Sequence, residues 1–282
     1  MHTSPSIFLS LLAGLCVTLV PAARAQQSFK ERFFGHNAAM ARLQPSWPTP
    51  LVEPEPRLTQ YYRFSISNEF TSDGARTVNY GNGRGGGIVA WNRFEFDAYP
   101  PGYVEHKTPS QDDGLGDTEL LVKLRLASAA AEHGNYIATF LLGRSFPTGS
   151  YSNGAESGAW TPTVAGGIGV TRSIDVETSL GGWLPTARVT EQGRSVVWNS
   201  LTQIHTSRST WLELEDNALY FMGGAHGGQM QNFLTPAAFY YLRSPEWKPP
   251  HPFLVFTAGM QIATSTFHTY NHNFIGEVRI LF

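Results

Sequence analysis

The chain has 282 residues, a formal net charge of −2, 15% charged residues, 13% aromatic residues and 28 glycines. That balance favours strands and turns over helices and excludes a basic surface for nucleic acid or acidic lipid. Cys16 is the only cysteine, which excludes disulfides and a cysteine-based zinc centre.

Residues 1–25 read as a secretory leader, with an apolar core over 7–20, then Pro21 and the small-residue cleavage pattern Ala23-Arg24-Ala25. Cys16 follows Leu15, where a lipid-anchor motif needs a small residue. Downstream no run approaches the ~18 apolar residues of a helical span, so a membrane location requires a barrel, the other way to pair every backbone group in hydrocarbon. Residues 26–57 carry Phe29, Phe33, Met40 and Leu43 at near-helical spacing, followed by a proline-rich stretch from Pro45 to Pro56. They are expected to form a periplasmic tail with a short helix and a linker; a plug reaching into the barrel is the alternative.

From 58 onward the sequence alternates. Over 58–70, Tyr62, Phe64 and Ile66 oppose Arg63, Ser65, Ser67 and Glu69. A short strand around 77–80 is followed by one over 88–98, with Trp91, Arg93, Glu95 and Asp97 on one side and Phe94 and Phe96 on the other. Strands are then expected over 117–127, 135–146, 160–171, 174–184, 195–206, 210–222, 233–243, 253–263 and 271–282. Turns such as Arg172-Ser173 are tight, whereas 147–159, 185–194 and 223–232 are longer and glycine-rich. Short connections on one side and long on the other fit an all-β, transmembrane, antiparallel up-and-down barrel of about twelve strands, or about ten without 77–80, over residues 58–282.

Polar residues of one parity define the expected lumen: Arg63, Glu69, Arg93, Glu95, Asp97, Glu119, Lys123, Arg125, Asp175, Glu177, Glu213, Glu215, Glu277 and Arg279. Opposed charges can fill and stiffen a small barrel, or line a path for a small-molecule solute in which the acidic excess favours cations and neutral polar molecules. Trp160, Trp183, Trp198, Trp211 and Tyr240-Tyr241 are candidates for the interfacial girdles. His205 and Ser207 have the spacing of an outer-membrane lipid hydrolase, but Ser207 is expected in a tight periplasmic turn, so no enzyme is read from them. His268, Tyr270 and His272 share a face if extended; without an adjacent carboxylate they read as a loop cluster, with no metal and no cofactor expected. The expected partners are membrane lipids, the solute, and the outer-membrane assembly machinery acting on the C-terminal strand that ends at Phe282, with no nucleic acid.

Asp113-Gly114-Leu115-Gly116-Asp117 leading into a strand with Lys123, then Phe146-Pro147-Thr148-Gly149 and a later Leu184-Pro185-Thr186, resembles the outer-membrane β-barrels grouped under the MetA pathway of phenol degradation. The resemblance implies a bacterial outer-membrane transporter or porin and carries over no catalytic residue.

Overall fold

The computed structural model describes residues 29–81, 83–108, 111–151, 153–242 and 252–282. The expected leader lies outside them. Twelve antiparallel strands close into a barrel. In our numbering α1 is Phe29–Ala41 and β1 is Tyr61–Phe70. Three strands are each interrupted once: β2 (Arg76–Tyr80 and Gly85–Trp91), β3 (Phe94–Tyr99 and Tyr103–His106) and β4 (Gly114–Leu115 and Thr118–Ala129). The rest are β5 (Tyr136–Phe146), β6 (Ala159–Gly169), β7 (Ile174–Pro185), β8 (Ser195–Ser207), β9 (Thr210–Phe221), β10 (Met230–Leu242), β11 (Phe253–Ala263) and β12 (His272–Leu281).

Each strand pairs with its neighbours in sequence, and β12 returns to β1 in unbroken register from Tyr61 opposite Leu281 to Phe70 opposite His272. Closure leaves no edge to aggregate or to sit unpaired in hydrocarbon. The break in β2 is a glycine kink: Gly81 at φ +82 takes a backbone conformation that a side chain would strain.

The total of about twelve strands matches, but two of them form differently. The stretch 88–98, expected as one strand, is a hairpin that reverses at Asn92-Arg93, with Trp91 paired to Phe94. Residues flanking a two-residue turn face the same side, and a β-bulge between Val89 and Trp91 takes up the change of phase, so that Val89 as well as Glu95 lies inside. Trp91 therefore sits outside, 63% exposed and edge-on to Phe94 and Phe96, whereas Glu95 and Asp97 point inward. The stretch 77–80 is the far half of β2, not a separate strand.

Outward positions carry Ile88, Phe96, Val164, Leu180, Trp198, Tyr240 and Val278, all exposed. So wide an apolar band around a closed wall of strands about ten residues long is a lipid-facing surface. Trp160, Trp198 and Tyr240 belong to it, whereas Trp183 lines an inner cavity and Trp211 packs against an inner apolar cluster.

The segment after α1 is the larger departure. Residues 44–57, expected as part of a tail and linker with a plug as the alternative, and 58–60, expected to open the first strand, lie inside the wall: Gln44, Trp47, Leu51, Glu53, Glu55, Arg57, Leu58 and Gln60 are all buried. The segment enters and folds back, with the Gln44 side chain bonded to the Leu58 backbone, and prolines suit it because a chain inside a lumen has no ladder to receive the amides that proline lacks. At its exit the helix packs on the barrel seam, with the Phe33 ring 6.0 Å and the Phe34 ring 6.5 Å from that of Phe282. The Phe282 amide donates to the Gln60 carbonyl at 2.9 Å.

Candidate functional site

The interior is organised by two sets of charges, one fixed within the wall and one gripping the inserted segment. Within the wall, Lys123 on β4 stands opposite Glu95 on β3, with Nζ 2.7 Å from that carboxylate and 3.7 Å from Asp97. The hydroxyls of Tyr61 and Tyr99 donate to Asp97 Oδ2 at 3.1 and 2.9 Å. Arg279 pairs with Glu277, and the Arg63 guanidinium lies 3.8 Å from the same carboxylate. Buried charges are tolerated only when paired or bonded in this way.

The second set holds the plug. One carboxylate of Glu215 accepts three consecutive amides, from Leu51 at 2.8 Å, Val52 at 3.0 Å and Glu53 at 2.9 Å, and Glu213 adds a longer contact to Leu51 at 3.3 Å. Around the wall, side chains donate to plug carbonyls: Gln203 to Pro48 at 3.2 Å, Arg279 to Pro50 at 3.5 Å, Lys123 to Arg57 at 3.4 Å, and Thr139 to Pro56. Glu95 accepts the Thr59 amide. The apolar contacts are two small clusters, Leu51 against Ala237, Phe239 and Val255, and Leu58 with Met40 against Val89. Within the plug, Arg57 pairs with Glu55 at 2.6 Å and reaches Thr49 at 2.9 Å.

Two cavities of about 400 and 360 Å³ open on the long-loop side of the plug, and Val52, Arg63, Tyr99 and Glu119 line both. Trp183, Leu141, Val197 and Leu219 give the smaller one an apolar wall. Loop residues Asn153 and Asp117 stand at the larger one.

Of the residues expected to face the lumen, Glu95, Asp97, Lys123, Arg125, Asp175, Glu177, Glu213, Glu215, Glu277 and Arg279 are buried inside the wall. Arg63, Glu69 and Glu119 line the larger cavity. Arg93 does not join them, because it occupies the exposed Asn92-Arg93 turn, where its carbonyl accepts the Arg125 amide at 2.9 Å. The plug residues Glu53, Glu55 and Arg57 and the wall residues Gln203, Thr139 and Tyr61 were not among those read from the sequence. The signal that could have found some of them is the surplus of inward acids, which calls for donors from elsewhere in the chain.

The His205 ring stacks on Trp211 at 4.4 Å, and Ser207 lies in the short-turn end accepting from the Ser209 amide at 3.4 Å. The His268 ring nitrogens lie 2.9 Å from Ser265 O and 2.9 Å from Asn271 Oδ1. The Tyr270 hydroxyl donates to Gln261 at 2.9 Å, and His272 stacks on Phe70 at 4.7 Å.

No family model matches the sequence, and no curated protein matches it. Solved structures do share the fold. The COG4313 outer membrane channel from Pseudomonas putida F1 superposes with a TM-score of 0.55 at 13% identity, over 83% of this chain and 99% of that one. The NanC porin gives 0.50 at 8% identity, over 79% and 98%. The fold is that of an outer-membrane β-barrel. Two of the motifs noted in the sequence also meet in space: Asp117 accepts the Gly149 amide at 2.9 Å and the Ala155 amide at 2.6 Å.

Proposed function

We propose that this chain is a bacterial outer-membrane channel for passive uptake of small molecules, closed at rest by its own residues 44–60. One observation carries the reading. The plug is held chiefly by hydrogen bonds from its backbone to wall side chains, with two small apolar anchors at Leu51 and Leu58, and such bonds exchange with water at modest net cost when a segment leaves. The cavities facing the long loops, which point to the cell exterior in barrels of this kind, give a solute a place to enter. Arg63, Glu69, Glu95, Asp97, Glu119, Lys123, Arg125, Asp175, Glu177, Glu213, Glu215, Glu277 and Arg279 would then line the path, with acids outnumbering bases and favouring cations and neutral polar solutes.

Membership of the MetA-pathway group rests on the motif resemblance and is supported by the contact between Asp117 and Gly149. Assembly machinery acting on the strand ending at Phe282 is part of the same proposal, as is the absence of catalysis. The plug equally suits a second reading, a sealed barrel with a structural role. Single-channel recording in planar bilayers, with and without residues 44–57, separates the two. Conductance that rises on removal supports transport, whereas a folded, plug-less barrel that conducts nothing and admits no solute to liposomes refutes it. Lipid hydrolysis abolished by Ser207→Ala would also overturn the assignment.

A further inference from the structure

Beneath the plug, on β7 and β8, five side-chain oxygens have no hydrogen-bond partner: both of Asp175, both of Glu177 and Oε1 of Gln203. The three residues are 1%, 2% and 0% exposed. Asp175 and Gln203 are direct ladder partners, which brings their Cβ atoms to about 5 Å, and Glu177 follows two residues along on the same face, about 7 Å away. The amide of Gln203 is oriented by its nitrogen, which donates to Pro48 O at 3.2 Å and Glu213 Oε2 at 2.6 Å, so the remaining oxygen is an acceptor without a donor. The plug covers the place: beside Gly167, Trp47 Cζ3 and Glu177 Cγ lie 3.0 and 2.7 Å from where a Cβ would stand. Arg57 is the cation whose field reaches both carboxylates, yet its Nη2 is engaged by Glu55 at 2.6 Å and Thr49 at 2.9 Å, its Nε has no hydrogen-bond partner, and it forms no ion pair with Asp175 or Glu177.

Two buried carboxylates and an amide oxygen, with no donor among them, are the ligand chemistry of a hard cation. Among the described residues no group of three or more His, Cys, Asp or Glu is placed to hold a metal, so the amide oxygen is needed to complete the set. We propose that Asp175, Glu177 and Gln203 bind a calcium ion between the barrel wall and the plug at Trp47. Water supplies the remaining ligands, since calcium takes more oxygens than these three side chains offer. Bound there, the ion neutralises the surplus acid and fastens the start of the plug to β7 and β8. The site does not depend on whether the barrel conducts.

Terbium serves as the probe, because it occupies calcium sites and is sensitised by a nearby tryptophan. The full folded chain in detergent, stripped of metal, is titrated with terbium under tryptophan excitation and then with calcium. Saturable luminescence displaced by calcium is expected, with affinity weakened at least about tenfold in Asp175→Asn/Glu177→Gln. Trp47→Phe should lose most of the luminescence while binding calcium as before by calorimetry. Folding of each variant is checked by the heat-dependent gel shift of barrels. Absence of calcium-displaceable luminescence, or an unweakened double variant, overturns the proposal.

Discussion

Replacing Glu215 with alanine tests the plug most directly. Its carboxylate is fully buried and accepts the amides of Leu51, Val52 and Glu53 at 2.8 to 3.0 Å, so the substitution leaves the Val52 and Glu53 amides without their partner and Leu51 with only its 3.3 Å contact to Glu213. An unpaired buried donor costs about 1–3 kcal/mol; water admitted to the lumen returns part of that, so the low end applies and the two orphaned amides cost about 2 kcal/mol together. At 1.4 kcal/mol per decade this shifts the seated-to-released ratio by roughly thirtyfold. Two readouts follow it. Open-channel events should lengthen in planar bilayers, and Val52→Cys, in a chain whose only native cysteine lies in the expected leader, should react with an external thiol reagent faster in the Glu215→Ala background. Glu215→Gln keeps an acceptor oxygen and should fall between. Conductance and labelling unchanged by Glu215→Ala, with the barrel folded, would mean that these bonds do not hold the segment in place.

Three further outcomes are expected. Lys123→Met strands the carboxylates of Glu95 and Asp97 and should lower the denaturant midpoint by the equivalent of about 3 kcal/mol, with Lys123→Met/Glu95→Gln recovering part; equal midpoints would show the pair to be idle. Gly154→Ala would place a Cβ 2.3 Å from Asp117 Oδ1 and 2.8 Å from Gly149 Cα, so protease should cut the 147–158 loop faster on intact cells; an unchanged rate refutes the close packing. Val164→Arg puts a charge on the lipid face, at a position 52% exposed, and should cost about 2–4 kcal/mol in folding into lipid vesicles; full folding yield would place that face in water.

Much of the wall was legible because its chemistry is local. Each strand carries its own record of which side meets lipid, as where Tyr62, Phe64 and Ile66 alternate with Arg63, Ser65 and Ser67, and that record needs no knowledge of a distant partner. The hairpin at Asn92-Arg93 escaped notice because Arg93, Glu95 and Asp97 continue a charged alternation straight through the reversal, while the bulge that takes up the change of phase shows only in the placing of Trp91. The inserted segment carries no period at all. Its prolines and charges have the composition of a solvated linker, and nothing within 44–60 tells a chain bathed in water from one bathed in the polar groups of a lumen.

The order of residues by itself settled the sidedness of the strands, the approximate strand number and the identity of most inward charges, since alternation along a pleated chain is a property of neighbours two apart. Tertiary closure decided what those charges do. Glu215 meets Leu51 across 164 positions and Arg279 meets Pro50 across 229, distances at which no local pattern links donor to acceptor. Only when the wall closes does its polar inner face become a cavity that must be filled, and the segment just before the first strand is near enough to fill it.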